Sequence, residues 1–313
     1  MNAQRPTFKY LFGPVASRRF SLSLGVDLAP RKTCTFNCAF CEVGPTTCLT
    51  MERKEYVPLD EVKHELAEWR HGGGQADFVT VTGSGEPTLH TGFGDILDFI
   101  KAEIKIRSAL LTNSTLLYLP EVRRAALSAD VIKVTLSAWD DDSFRKLARP
   151  HGDLRFASVV EGLQRLRSEY PGAIWMEIFV VPNLNSSMDQ LRAVAVLART
   201  IKPDRIQLNT AVRPTAAGKV GAVSAHFLHE ISTLFEPRAE VIARFEGKES
   251  AGRNVERDMV LAMLKRRPCT TADVAASFSL DPAETARVLR QMVDEKSVRI
   301  EERDGEEYFI GRE

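Results

Sequence analysis

The sequence lacks long apolar runs, an export signal and a net charge. No segment approaches the roughly 18 consecutive apolar residues of a membrane-spanning helix. The N-terminal sequence MNAQRPTFKYLFGPV has no apolar core like that of a signal peptide. The 313 residues include 42 Lys and Arg and 42 Asp and Glu, so no overall field attracts the protein to nucleic acid or to a membrane surface. These absences predict a cytoplasmic protein without a membrane partner.

Cysteine is also scarce, and its distribution is uneven. Four of the five cysteines fall within one short segment, at Cys34, Cys38, Cys41 and Cys48, whereas Cys269 stands alone. An odd number of cysteines in a chain without an export signal argues against a framework of disulfides. Clustered thiols in a reducing compartment instead indicate metal or redox chemistry.

From about residue 20 to residue 210, short apolar segments alternate with longer segments of helical period. This alternation is typical of a parallel α/β fold. The predicted strands are Ser23–Leu28, Phe78–Thr82, Ser108–Thr112, Val131–Leu136, Trp175–Val181 and Arg205–Leu208. The predicted helices are Leu59–Arg70, Asp95–Ile104, Leu119–Ser128, Asp141–Leu147, Ala157–Ser168 and Ser187–Ile201. Six strand–helix units in right-handed succession predict a partial (β/α)6 barrel of the TIM type.

The pattern changes near the C-terminus. Residues 246–254 (EGKESAGRN) are polar and contain glycine, which predicts a linker. Beyond them we expect three helices and a β-hairpin, an order that resembles a winged helix-turn-helix domain. The helices are predicted over Val255–Lys265, Thr271–Phe278 and Asp281–Glu295, and the strands over Val298–Glu302 and Glu307–Ile310. The predicted organisation is a barrel over residues 1–245, a linker over 246–254 and a winged helix-like domain over 255–313.

The charge of this C-terminal part argues against DNA as its partner. Residues 254–313 contain 10 Lys and Arg but 13 Asp and Glu, and the expected wing, EERDGEE, is acidic. Phosphate neutralisation supplies much of the affinity of DNA-binding modules. A local basic patch around Lys265–Arg267 stays open as an alternative, but a docking or substrate-presenting role is favoured.

The segment KTCTFNCAFCEVG carries the strongest signal for chemistry. Cys34, Cys38 and Cys41 lie on one tight loop and can ligate three irons of a cubane cluster, which leaves the fourth iron open to another ligand. The alternative is a zinc site with Cys48 as the fourth thiolate. Structural zinc sites usually pair two C-x2-C-type knuckles, and the sequence has no second knuckle. An iron–sulfur cluster is therefore predicted.

A second loop, GSGEPTLH, follows the next predicted strand. Gly83 and Gly85 would let the backbone approach a ligand closely, and Glu86 would offer a carboxylate to an ammonium group. The alternative is a tight turn with a solvated Glu86. Because reactive groups gather at the C-terminal ends of barrel strands, we expect this loop and the cysteine loop to form one site.

Together these loops resemble the radical S-adenosylmethionine (SAM) superfamily. Its hallmark C-x3-C-x-φ-C corresponds to Cys34, Cys38, Phe40 and Cys41, and its Gly-Gly-Glu-type motif corresponds to residues 83–87. The longer stretch GPVASRRFSLSLGVDLAPRKTCTFNCAFCEVG and QLNTAVRP look like a branch related to wyosine-base (tRNA guanine-37) synthases. Ser21 departs from that branch, which more often has glycine there. The resemblance covers about residues 12–215.

The resemblance implies a [4Fe–4S] cluster and SAM as cofactors. Glu86 would hold the methionyl ammonium group, and the backbone around Phe40 would contact adenine. Ser137 would contact the ribose, and Asn113 and Arg213 are further candidates for the same cofactor. The alternatives are that Ser137 and Asn113 cap strand ends and that Arg213 forms a surface ion pair.

The reaction implied by the resemblance is reductive cleavage of SAM to a 5′-deoxyadenosyl radical, which abstracts hydrogen from a substrate. A tRNA or a peptide is the expected type of substrate. The low potential of such clusters implies a flavodoxin or ferredoxin as electron donor. The alternative function is an iron–sulfur-sensing regulator that binds DNA through the winged helix.

Overall fold

A computed structural model describes residues 8–29, 32–213, 215–216, 220–243, 257–278, 280–303 and 305–312. The predicted linker, residues 246–254, lies outside the described residues. No helix in these ranges is long and apolar enough to span a membrane.

One mostly parallel sheet organises the larger part of the chain. The strands are β1 (Leu11–Ser17), β2 (Ser21–Asp27), β3 (Thr33–Cys34), β4 (Cys48–Leu49), β5 (Phe78–Thr82), β6 (Arg107–Leu111), β7 (Val131–Thr135), β8 (Ala173–Phe179), β9 (Arg205–Asn209) and β10 (Glu240–Val241). The main sheet has the order β1-β2-β5-β6-β7-β8-β9-β10, and β3 pairs with β4 separately. From β2 to β10 neighbouring strands are parallel, whereas β1 is antiparallel to β2. The predicted parallel α/β fold is confirmed.

Helices connect the parallel strands. They are α1 (Leu59–His71), α2 (Phe93–Phe99), α3 (Pro120–Ala126), α4 (Asp141–Ala148), α5 (Phe156–Glu169), α6 (Met188–Ile201) and α7 (Ala225–Ile231). Helix α1 buries Val62, Leu66 and Trp69, the face that the apolar spacing predicts. The helix predicted to end at Ile104 continues past α2 as a π-helical turn over Ile100–Ile104. This turn ends at Lys105, which is in the left-handed conformation.

The sequence did not reveal strand β1. A proline inside an apolar segment argues against a central strand, and Pro14 lies in the middle of β1. The register shifts between Phe12 and Val15, so a bulge accommodates this proline at the edge of the sheet. In the turn that follows, Ser21 has a φ of 52°, a conformation that suits glycine better than serine.

The described C-terminal residues contain three helices followed by a β-hairpin, the order of elements that the sequence pattern predicts. It contains α8 (Arg257–Arg266), α9 (Thr271–Phe278), α10 (Pro282–Asp294), β11 (Val298–Arg303) and β12 (Glu306–Gly311). Strands β11 and β12 form an antiparallel hairpin. Asp281 caps α10 by accepting a hydrogen bond from the Glu284 backbone N–H.

These C-terminal elements pack against both edges of the sheet. Val15 of β1 belongs to the same buried apolar cluster as Met263 and Leu264 of α8. Near the other edge, the Tyr308 hydroxyl lies 3.3 Å from the carbonyl oxygen of Val212, which follows β9. A side-chain hydrogen bond also joins the segments that follow the two edge strands, because Arg18 Nη1, after β1, donates to the Ile242 carbonyl oxygen, after β10, at 2.9 Å. Helix α8 therefore lies beside β1.

Candidate active site

The cysteine loop is held at the C-terminal end of β2. Strand β3 carries Cys34 and pairs in parallel with β4. The loop between them is anchored to the end of α4, because the Asn37 and Ala39 backbone N–H groups donate to the carbonyl oxygens of Ala148 and Leu147, at 3.1 and 2.9 Å. Backbone hydrogen bonds of this kind fix the loop independently of any bound group.

This loop brings the three predicted cluster ligands together. Burial, followed by the charge of Glu86, raises the pKa of Cys34 to about 12. Burial also raises the pKa of Cys38, and the charges of Cys41 and Cys34 add to that effect. The thiols therefore lie within electrostatic range of one another. The iron cations of a bound cluster would offset the repulsion between the thiolates and lower the pKa of each thiol, since metal binding favours the thiolate form.

The described residues give no support to the zinc alternative. Within the described ranges, no three His, Cys, Asp or Glu side chains converge closely enough to hold one metal ion. A zinc ion needs all of its thiolate ligands to converge on one point, with Zn–S distances of about 2.3 Å. Cys48, the fourth thiolate of the zinc alternative, is exposed on β4. The described residues therefore do not form a four-cysteine zinc site, and ligation of the cluster by the three loop cysteines stays a prediction.

Lys32 is a site residue that sequence reasoning missed. Its side chain is buried, and its ammonium group donates to Cys41 Sγ and, at 3.0 Å, to the Gly44 carbonyl oxygen. A cation at this place offsets the negative charge of a thiolate ligand. The available signal was a lysine two residues before the first cysteine. Its position against Cys41 depends on the fold of the loop.

The second loop packs directly against the first. A Cβ atom on Gly85 would lie 1.6 Å from the Thr33 carbonyl oxygen, and one on Gly83 would lie 2.8 Å from Ala29 Cβ. The Glu86 backbone N–H donates to the same Thr33 carbonyl oxygen at 3.0 Å. The glycines thus permit close approach of two protein segments. This is a different reason from the approach to a ligand that the sequence suggested.

Glu86 is buried and forms several hydrogen bonds. Its Oε1 accepts from the Thr88 backbone N–H, the Thr88 hydroxyl and the Thr112 hydroxyl, at 3.1, 2.6 and 2.7 Å. Its Oε2 accepts from the Asn113 backbone N–H at 2.7 Å. The side chain is 1% exposed, so the alternative of a solvated Glu86 is wrong. Burial raises the pKa of Glu86, and the hydrogen bonds from Thr112 and Thr88 oppose that rise.

Asn113 and Ser137 lie two residues beyond the ends of β6 and β7. Asn113 Nδ2 donates to the Thr35 hydroxyl at 2.8 Å and lies 3.6 Å from Cys34 Sγ. Ser137 Oγ accepts from the Phe179 backbone N–H at 2.9 Å. Asn113 therefore touches the cysteine loop, and Ser137 caps a strand end, as its alternative interpretation states. Their contacts with a cofactor stay predictions.

The two remaining candidates occupy different places. The Phe40 ring stacks on Phe179, with 4.4 Å between centroids and a 16° interplanar angle. Arg213 is buried, with its side chain 3% exposed, and it donates to Glu42 Oε2 at 3.2 Å and to Asp273 Oδ1 at 2.9 Å. The ion pairs suggested for Arg213 exist, but they are buried rather than on the surface. Its contact with a cofactor stays a prediction.

With this geometry established, comparison with known proteins decides the family. The radical SAM superfamily matches residues 30–193. The chain belongs to the radical SAM superfamily. Members of this superfamily are enzymes that use a [4Fe–4S] cluster and SAM, so the chain is an enzyme with these cofactors. Its matched residues include both loops of the site.

Several known proteins are similar along most of the chain. It is 31% identical over 297 residues to GTPase Obg from Brachyspira hyodysenteriae, covering 94% of the chain and 44% of that protein. It is 26% identical to UPF0026 protein MJ1312 from Methanocaldococcus jannaschii, covering 96% of the chain and 95% of that protein. It is 33% identical over 209 residues to UPF0026 protein slr1464 from Synechocystis, covering 66% of the chain and 77% of that protein. The chain therefore spans less than half of the first of these proteins.

Two solved structures share the fold. A radical SAM methyltransferase from Sphaerobacter thermophilus matches with a TM-score of 0.52 and 18% identity, covering 70% of this chain and 66% of that one. The structure of TYW1 with a lysine–pyruvate adduct bound matches with a TM-score of 0.53 and 16% identity, covering 73% of this chain and 76% of that one. At these identities the likeness concerns the fold alone.

Proposed function

We propose that the enzyme reductively cleaves SAM at its cluster and abstracts hydrogen from a bound substrate. One observation carries the proposal: the three-cysteine loop and the Gly83–Glu86 loop are joined by the hydrogen bond from Glu86 to Thr33 at the C-terminal end of β2 and β5. The bound cofactors supply the electron and the 5′-deoxyadenosyl group. The residues of the chain orient them and shield the site from water.

The roles of the ligating residues follow from their chemistry. Cys34, Cys38 and Cys41 would ligate the cluster, which leaves one iron for the amino and carboxylate groups of SAM. The Lys32 ammonium group at Cys41 would partly neutralise the thiolates and favour the reduced state. Glu86 Oε2 accepts from the Asn113 backbone N–H, and this carboxylate oxygen would also accept from the methionyl ammonium group.

The other proposed cofactor contacts surround these groups. The backbone at Phe40 would face adenine, and stacking on Phe179 fixes that part of the loop. The backbone of Gly83 and Gly85, Asn113, Ser137 and Arg213 complete the candidate set. Ser137 Oγ accepts a backbone hydrogen bond, and its hydroxyl would donate its own hydrogen to the ribose.

An external reductant must reach the cluster. Next to the cysteine loop, Val43 and Leu49 are 40% and 42% exposed, which is unusual for such residues in this chain. This surface is the proposed docking place for a flavodoxin or ferredoxin, and the reducing cytoplasm is the proposed compartment. The hydrogen donor predicted from the sequence, a tRNA or a peptide, stays a prediction.

The domain organisation is part of the proposal. A partial (β/α)6 barrel over residues 1–245 would carry the chemistry, and a winged helix-like domain over residues 255–313 would cover its side. The DNA-binding regulator finds little support in the contacts. Arg290 pairs with Glu307 and Arg257 pairs with Glu295, so these basic side chains are already neutralised by carboxylates.

The test is anaerobic reconstitution followed by reaction with SAM and dithionite. The wild-type chain should release 5′-deoxyadenosine. Cys34→Ala, Cys38→Ala and Cys41→Ala should each abolish both the visible absorption of the cluster and the release of product. Cys48→Ala is the matched control, because Cys48 is exposed, and it should retain both. Full activity in any of the three loop variants would disprove the proposal.

A further inference from the structure

A cavity of about 240 Å³ lies beside the two loops. Its inner wall includes Ser23 of β2 and Thr80 of β5, and α8 contributes Met263 to the opposite wall. Gly83 also lines the cavity, so the cavity reaches the proposed SAM site. A molecule bound in this cavity would therefore be within reach of the 5′-deoxyadenosyl group released at the proposed SAM site.

The wall of this cavity is strongly basic. Its lining arginines come from three separate parts of the chain, the β1–β2 turn, the segment after β9 and the end of α8. They are Arg18, Arg19, Arg213, Arg266 and Arg267. Asp27 is the acidic residue among the described lining residues. Such an arrangement concentrates positive charge in a partly enclosed space.

Carboxylates in and around the cavity balance part of this charge. Arg19 forms an ion pair with Glu177. The same carboxylate also pairs with Lys133, whose Nζ lies 3.1 Å from Glu177 Oε2. Arg266 Nε lies 3.6 Å from Asp27. In the part of the chain that the structure describes, no carboxylate lies within 4.0 Å of Arg18 or Arg267, while Arg213 has the two acidic partners given above.

Several guanidinium groups in this wall are incompletely satisfied. Among the described residues, the buried Nε atoms of Arg213 and Arg266 have no hydrogen-bond partner. Burial lowers the pKa of Arg18 to about 10, and repulsion from Arg213 adds to this effect. Unpartnered donors and mutual repulsion are both costly in a buried place. A bound anion would remove both costs.

We infer that this cavity binds the substrate, and that the substrate is a small molecule carrying a carboxylate or phosphate group. Guanidinium groups recognise both anions through paired hydrogen bonds. The volume is close to the lower end of small-molecule pockets, about 300 Å³, and α8 covers one side of it. This inference rests on the proposed function, because it takes the bound molecule to be the hydrogen donor.

The experiment is calorimetric titration of the full-length, reconstituted enzyme saturated with SAM. Inorganic phosphate and succinate are the two probes, at constant ionic strength. At least one should bind saturably, and the one that binds more tightly identifies the anion. Arg18→Gln and Arg267→Gln should each weaken binding about tenfold or more, as expected for loss of a charge-assisted hydrogen bond. Arg18→Lys, which keeps the charge, should weaken it less.

The matched control is Arg165→Gln, because Arg165 is exposed on α5 away from the cavity. It should bind the probe like the wild-type enzyme. The inference would be overturned if neither probe bound saturably, or if Arg18→Gln and Arg267→Gln bound the probe as tightly as the wild-type enzyme does. Binding of tRNA or peptide, without binding of either small anion, would also overturn it. Release of 5′-deoxyadenosine without probe binding would refute this inference alone. Probe binding without that release would refute the proposed function alone.

Discussion

Arg213 donates to Asp273 at 2.9 Å, and through this contact the segment after β9 is tied to helix α9. The same guanidinium reaches Glu42, the residue that follows Cys41. One buried side chain therefore connects the C-terminal helices with the cysteine loop. Because removal of one partner leaves a buried charge incompletely paired, this contact can be tested by stability measurements.

Asp273→Asn should lower the free energy of unfolding by about 1.5–3 kcal/mol, the range for a hydrogen bond to a charged group. Burial opposes ionisation of Asp273, but the nearby Arg213 guanidinium holds its pKa below the ordinary 3.8. The stabilisation is therefore complete above about pH 4. It declines as the pH falls through the lowered pKa of Asp273. Urea unfolding of both proteins between pH 3 and 7 measures this difference. A constant difference across that range would contradict the ion-pair explanation.

Glu86→Gln should destabilise the protein and weaken SAM binding. The new amide oxygen can accept from Thr88 and Thr112, but the amide nitrogen then faces the Asn113 backbone N–H, so two donors meet. A buried unsatisfied donor costs about 1–3 kcal/mol. Chemical unfolding and SAM titration provide the measurements, with the exposed Glu161→Gln as control. A variant as stable as the wild-type protein would show that Glu86 does not hold together the segments that follow β5 and β6.

Gly85→Ala should prevent the two loops from packing together. The added Cβ would collide with the Thr33 carbonyl oxygen at 1.6 Å, and the backbone must shift to relieve the collision. We expect destabilisation of about 1–3 kcal/mol and reduced iron content after reconstitution. Gly152→Ala is the matched control, because nothing lies within 4 Å of a Cβ there. Normal iron content in Gly85→Ala would show that contact between the loops is not needed for cluster assembly.

Lys32→Gln should make the cluster harder to reduce, because a positive charge beside the Cys41 thiolate is lost. Loss of such an outer contact typically lowers activity about 10–100-fold, and we expect that decrease in 5′-deoxyadenosine release. A redox titration followed by electron paramagnetic resonance measures the potential. Lys202→Gln is the control, since Lys202 is exposed and also has a positive φ. A potential equal to that of the wild-type enzyme would rule out the electrostatic role of Lys32.

Local patterns predicted most of the secondary structure. Strand β5 (Phe78–Thr82) and helix α9 (Thr271–Phe278) have the predicted bounds, because short-range periodicity and turn residues specify them. Strand β1 was missed, since its proline is tolerated through a bulge and an edge position, neither of which is visible in a local pattern. The same limit applies to Lys32, whose partner is set by the path of the loop.

The sequence by itself pointed to the chemistry: the spacing of Cys34, Cys38 and Cys41 on one loop predicts three ligands of one cluster, because residues so close in the chain cannot separate far in space. Tertiary structure alone decided which distant groups meet. Arg18 and Arg267 line one cavity although they lie at opposite ends of the chain. That meeting depends on the packing of α8 against β1, which is a collective property of the folded chain rather than of any local segment.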